Sequence, residues 1–344
     1  MTSKFDMRRF MDRNDNILML LLLTVLIIVT MAYATDYRFL RPGNIESITF
    51  MFPELGLLSI AMMIAMLTGG IDLSVIAVAN LAGILAGVYF QRTAPMPGEA
   101  VTFGAELFRV SIGILIALTT GVCAGAFNGL LITRLKITPI LTTLGSGYLM
   151  TGLAVVLTGG PAIIGFPALW GAIGNGKIPL GSLVGLPDYY DLAIPFAIFL
   201  VIACLVAFML SRTAIGVSLM LIGSNPKAAV FAGLRTVRMT FYSYMLTGVL
   251  ASIAGIMLSA RVSAAKSDYG VSYLLQAVLI AVLGGTNPAG GRGTVLGVSI
   301  AVVALMFLSS GFQMLRFSNH LIDFIWGAFL LLVIALNALR NHKR

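Results

Sequence analysis

Charge is scarce in this chain. Only 10% of its 344 residues are Asp, Glu, Lys or Arg, while 59% are hydrophobic and the mean hydropathy is +1.00. A soluble domain carries about 25% charged residues, so the composition excludes a soluble globule and implies a polytopic helical membrane protein. His320 and His342 are the only histidines, and neither an HExxH pair nor a clustered ligand set exists, so no metal site is expected. Cys123 and Cys204 both sit in apolar runs and read as small buried hydrophobes rather than a disulfide or a metal pair. The sequence has no GxxxxGK(S/T) phosphate loop, no paired carboxylates and no nucleophile–base set. An integral-membrane enzyme is therefore disfavoured, and any nucleotide hydrolysis belongs to another polypeptide. The net charge of +9 does not signal nucleic-acid binding, because Lys and Arg gather at loop ends as a positive-inside protein requires.

Long apolar runs are what the chain does have. After a polar tail over 1–16, Ile17 to Ala34 is an apolar run of 18 residues. Ala32-Tyr-Ala34 resembles a signal-peptidase site, but the run is long for a signal and more spans follow, so a retained first helix is expected. Further spans are expected at about 53–68, 73–90, 110–133, 138–158, 191–211, 239–260, 272–285, 294–314 and 319–339. Residues 35–52, 91–109, 159–190 and 261–271 read as external, and 212–238 and 340–344 as cytoplasmic. Ten spans place both termini inside. Of the 22 Lys and Arg residues, 14 then fall inside and 8 outside, which is the expected direction of bias. Two halves of five spans would have opposite orientation, the inverted-repeat logic of many transporters. Gly83 and Gly87, and Gly121, Gly125 and Gly129, recur at steps of four and predict faces where helices approach closely in lipid.

One polar stretch stands apart, Gly223-Ser-Asn-Pro-Lys-Ala-Ala-Val-Phe-Ala-Gly-Leu234. Asn225 suits an N-cap, Pro226 the first helical position and Gly233 a left-handed C-terminal stop. The seven residues 226–232 rise only about 10 Å, too little to span a bilayer. Arg212, Lys227, Arg235 and Arg238 surround this segment and place it on the cytoplasmic side. It reads either as a docking knob, with Phe231 at its tip and Ala228 and Ala229 leaving room for close approach, or as an interfacial helix resting on lipid headgroups.

Few polar groups lie within or near the spans. Asp72 is either the N-cap of the third span or a functional charge at membrane depth. Asp323, near the start of the tenth, is either a second such charge or a helix-terminal residue facing protein. Two lone aspartates make a poor ion-coupled carrier. Asn80 and Asn128 suit either a pathway for a hydroxylated solute or interhelical hydrogen bonds.

From about residue 40 to 339 the chain resembles the permease subunit of ribose-type sugar ATP-binding-cassette (ABC) importers, in the branched-chain/ribose permease family. The resemblance is carried by Thr68-Gly-Gly-Ile-Asp-Leu-Ser74, by residues 223–234, and by Gly284-Gly-Thr followed by Ala289-Gly-Gly-Arg-Gly293, with Leu250-Ala-Ser-Ile-Ala-Gly255 ahead of it. Family members often read Gly-Gly-Ile-Asp-Leu-Ser-Val-Gly-Ser, whereas Ile76-Ala77 follow Val75 here. The resemblance implies a vitamin B12-type importer fold of about ten helices in a single permease domain. It implies two permease copies, identical or paralogous, in a bacterial inner membrane with its lipid. A periplasmic sugar-binding protein would deliver the solute, and two ATPase subunits would bind ATP, with no cofactor in this chain. Ser224, Asn225, Pro226, Lys227, Ala228, Ala229, Phe231 and Gly233 match the segment that docks into the ATPase. Asp72, Asn80 and Asn128 are the candidate pathway residues. Ribose, other pentoses, hexoses, polyols and a furanosyl signal molecule all fit. A branched-chain amino acid permease and an ion-coupled carrier are the alternatives.

Overall fold

A computed structural model of the chain describes residues 7–96, 101–183, 185, 187 and 191–342. Lys4 of the expected tail, Asp188 of the expected external segment, and Lys343 and Arg344 lie outside the described residues. In chain order the helices are α1 (Met7–Ala34), α2 (Pro42–Leu67), α3 (Val75–Arg92), α4 (Phe103–Thr133), α5 (Pro139–Thr158), α6 (Ala168–Asn175) and α7 (Leu180–Leu183). They continue with α8 (Ile194–Arg212), α9 (Ala214–Ser224), α10 (Pro226–Phe231), α11 (Thr236–Val262), α12 (Tyr273–Leu283), α13 (Val295–Met314) and α14 (Asn319–His342). Extended structure among the described residues is confined to two short antiparallel ladders, 163–164 with 264–265 and 177–178 with 192–193. The protein is an all-α polytopic membrane protein.

Among the described residues, eight helices are long and apolar enough to cross a membrane: α1 (through Ile17–Ala34), α2, α3, α4, α5, α8, α11 and α13. The other two expected spans coincide with α12 and α14. α12 has 11 residues and rises about 16 Å, roughly half of a 30 Å hydrocarbon core. The described apolar part of α14 is His320–Val333.

Several boundaries differ from expectation. α2 begins at Pro42 and runs through Pro53, so part of the stretch read as external is helical, with Ile48 and Phe52 buried. A proline inside a membrane helix is tolerated when neighbouring helices satisfy the freed carbonyl, and the charge on Glu46 is met by Lys177. α4 begins at Phe103, capped by Thr102, whose Oγ1 accepts the Ala105 N–H at 3.3 Å. The α1 helix starts at Met7 and absorbs most of the 1–16 tail. Residues 159–190 are not simply a surface loop. They contain α6, which buries Trp170 against Phe90 and Phe166 at ring-centroid distances of 5.1 and 6.1 Å. The indole N–H donates to Ser259 Oγ at 3.2 Å. The cysteines are a correction: Cys123 and Cys204 are exposed on the flanks of α4 and α8 rather than buried within the chain.

The glycine steps of α4 are sites of close helix packing, whereas a Cβ on Gly83 of α3 would still lie 3.2 Å from Ser259 Cβ. A Cβ on Gly121 would strike the Gly248 carbonyl. One on Gly125 would lie 2.8 Å from Met245 Cα, and one on Gly129 2.9 Å from Phe241 Cδ2. All three face α11, which also packs on α2, α3 and α6. Side-chain ties then link α11 and α2 reciprocally. Glu54 within α2 accepts from Arg261 at the end of α11 at 2.6 and 3.0 Å. Within α11, Thr247 donates to Asp72, just beyond the end of α2, at 2.8 Å. Each central helix thus grips the far end of the other.

Candidate functional site

The short helix forms as its sequence predicts. Asn225 is the N-cap of α10, and its side chain accepts the Ala228 N–H at 3.0 Å. Pro226 sits at the first helical position, where no N–H is needed. At the other end Gly233 has φ +76°. Its N–H donates to the Val230 carbonyl and that of Leu234 to the Ala229 carbonyl, both at 3.0 Å. That pair of bonds is the Schellman arrangement that satisfies orphan carbonyls. Phe231 is 90% exposed, and Val230, Lys227 and Ala228 are exposed beside it. Ala229 differs from expectation. It is buried and turned toward its own chain, so Ala228 alone of the two leaves open backbone.

The helix is not hung in a polar loop. The residues before it form α9, an apolar helix whose Leu219 and Ile222 are buried in the core. Asn225 joins the two helices: its N–H donates to the Leu221 carbonyl and its own carbonyl accepts from Ala229, both at 3.0 Å. Ser224 Oγ donates to the Met220 carbonyl at 2.7 Å.

Three motifs far apart in the sequence meet at the root of this element. Gly291 donates to the Leu67 carbonyl at 3.0 Å. A Cβ on Gly223 would overlap the Leu67 carbonyl and lie 2.5 Å from Gly291 N and 3.0 Å from Gly290 Cα. The 287–292 loop is held in shape by Asn287, whose N–H donates to the Arg292 carbonyl at 2.9 Å and whose amide donates to the Gly290 carbonyl at 3.0 Å. Only glycines let three backbones approach this closely. The root of α10 is therefore packed directly on the end of α2, next to the 68–74 break.

Asp72 stands just beyond that junction. It is buried, and Ser74 stands at the N-cap position of α3 without a side-chain capping bond. Asp72 Oδ1 accepts the Ser74 N–H at 3.0 Å and the Ser74 hydroxyl at 2.6 Å. The break is further pinned by Thr143, whose hydroxyl accepts the Leu73 N–H at 3.0 Å. The simple capping expectation is thereby replaced by a cross-link between the start of α3 and α11. Asn128 joins the cluster by donating to Ser74 Oγ at 2.8 Å. Asn80 lies elsewhere, donating to the Ser267 and Tyr269 carbonyls at 3.0 and 2.9 Å. In this conformation all three make interior ties within one chain. Ser74, Thr143 and Thr247 were missed from sequence because hydroxyls in spans are common. Glu54 was missed too, although a carboxylate within an apolar run is a visible signal.

A family model described as "Branched-chain amino acid transport system / permease component" matches residues 44–334. The chain belongs to this family of transport permeases. The match covers all three converging motifs. The chain is 31% identical over 328 residues to the autoinducer 2 import system permease protein LsrD of Escherichia coli, covering 94% of this chain and 93% of that one. It is 32% identical over 295 residues to LsrD of Yersinia enterocolitica, covering 84% and 82%. The LsrD of Shigella flexneri is 30% identical over 328 residues, covering 94% and 93%. No solved structure matches the chain.

Proposed function

We propose that this permease is the membrane-spanning subunit of an ABC importer that moves a sugar or sugar-like solute across a bacterial inner membrane. The names of relatives matched over nearly the whole chain support autoinducer 2 as the first solute to test. A periplasmic binding protein delivers the solute, and a second permease copy completes the pathway. A separate ATPase pair docks on α10. ATP-driven closure of that pair draws the knobs together, and the Gly223–Leu67–Gly291 junction carries the motion into α2 and α11. No bond in the solute is made or broken.

The observation that carries this reading is Phe231, a 90%-exposed aromatic on a capped helix rooted in the core. A large apolar side chain held out in the aqueous phase suits an interface hot spot, where truncation to Ala costs at least about 2 kcal/mol. Phe231→Ala is therefore expected to weaken ATPase association roughly 30-fold and to uncouple hydrolysis from uptake, with insertion intact. Gly233→Val acts by another route, since a β-branched residue is strained at positive φ. ATPase pull-down and solute uptake into vesicles check both. Wild-type binding and uptake in both variants would remove α10 as the coupling element.

A further inference from the structure

A pocket of about 570 Å³ opens beside α10, between the end of α4, the turn after α10 and the first two turns of α11. Arg134, Arg235 and Arg238 line it, together with Leu130, Val230 and Phe241. All three arginines are exposed, and none has an ion-pair partner among the described residues. Their placement is unfavourable to the fold by itself. Arg235 caps the N-terminus of α11, a helix of 27 residues with no acidic residue in its first turn and no side chain capping it. The N-terminal end of a helix carries a partial positive charge and unpaired N–H groups, which favour an anion. Here that end is surrounded by cations instead, so the site lacks its natural counter-charge.

We propose that this pocket binds the phosphate of an anionic phospholipid from the cytoplasmic leaflet. Arg134 directly follows α4 and Arg235 directly precedes α11, so both lie at the ends of membrane spans, at headgroup depth. The rim continues into apolar surface: Leu130, Val237 and Tyr242 are exposed on it, and Phe127 lies one helical turn further along α4. A phospholipid brings a phosphate for the guanidinium groups and acyl chains for that strip. An acidic peptide or a free anion brings only the first. Basic pockets between spans on the cytoplasmic side are suited to such headgroups. Because Val230 of α10 forms one wall, the bound lipid fixes the pose of the short helix. The site rests on the inward orientation of this end and not on the identity of the solute.

The test uses the purified full chain in phosphatidylcholine nanodiscs containing a minor fraction of phosphatidylglycerol. Retained phosphatidylglycerol is read by native mass spectrometry after release. Each arginine is expected to contribute about fivefold in affinity. Arg238→Gln should therefore lower retention about fivefold, and Arg134→Gln, Arg235→Gln and Arg238→Gln together roughly a hundredfold. Arg92→Gln removes one charge from an exposed position outside this pocket and should leave retention unchanged. Equal loss in Arg92→Gln and Arg238→Gln would mean non-specific attraction and overturn the proposal. Displacement of phosphatidylglycerol by millimolar inorganic phosphate would show an ion site rather than a lipid site. Unchanged retention with lost ATPase pull-down would assign the arginines to the partner. If the triple variant does not fold, the single Arg238→Gln result decides. An unchanged single variant overturns the lipid site while leaving the transport reading, tested through Phe231, untouched.

Discussion

Asp72 shows how one side chain can look functional and be bound up in structure. Its two oxygens meet three donors: the Ser74 N–H, the Ser74 hydroxyl and the Thr247 hydroxyl. Asparagine can occupy this site. Its carbonyl oxygen keeps the Ser74 bonds, and its amide can donate to Thr247 if that hydroxyl turns to the Tyr244 carbonyl, already 2.8 Å away. Leucine can satisfy none of these donors, and each buried donor left unmade costs about 1–3 kcal/mol. Asp72→Asn is therefore expected to assemble and transport near the wild-type level, with stability changed by at most about 1 kcal/mol. Asp72→Leu should lose several kcal/mol and accumulate poorly. Expression level, thermal retention in detergent and uptake check the pair. Loss of uptake in Asp72→Asn at normal assembly would show that the charge itself works in transport.

At the scale of elements, the parts governed by local rules were legible in the sequence. The α10 caps follow from Asn225, Pro226 and Gly233 because each residue has one strong positional preference. The glycine steps on α4 predicted a close helix contact because small residues at a four-residue spacing share a face. Less legible were α6 and the start of α2. Polar or Gly-rich composition reads as a loop when each residue is imagined in water, yet here Glu46 is paired and Trp170 is enclosed. The junction of residues 67–69, 223 and 290–291 was invisible, since no local pattern says which glycines will meet. The α4–α11 contact can be tested directly. Gly125→Ala drives a Cβ to 2.8 Å from Met245 Cα, where only backbone movement relieves the clash. Overpacking of this kind costs about 1–3 kcal/mol. Gly145 in α5 has nothing within 4 Å of the same added Cβ, so Gly145→Ala should be neutral or stabilising by up to about 1 kcal/mol. The difference in thermal inactivation between the two variants is the measurement. Equal behaviour would mean that α4 and α11 are not packed through this stripe.

Across the whole molecule the decisive property is sidedness, because a coupling element works only if it faces the ATPase. Three features fix the expected orientation. Lys and Arg are biased 14 to 8 toward the side of 212–238. Lys177 is paired with Glu46 near the start of α2, which groups the 159–190 segment with that end of the bundle. From there α8 runs 19 residues to Arg212, about 28 Å and so close to one hydrocarbon thickness. Lys177 and Lys227 are then expected on opposite faces of the membrane. Cys123 and Cys204 are exposed on span flanks, so replacing both by Ala removes little packing and leaves a background without native thiols. In that background, Lys227→Cys should react with a membrane-impermeant maleimide only after permeabilisation of spheroplasts, and Lys177→Cys should react before it. Lys177→Cys also removes the partner of Glu46, so Gly159→Cys is a poor substitute at φ +70°, whereas the exposed Ile164 offers a second external site. Labelling of the 177 and 227 positions from the same side would break the expected ten-span topology. It would also turn α10 away from any cytoplasmic ATPase.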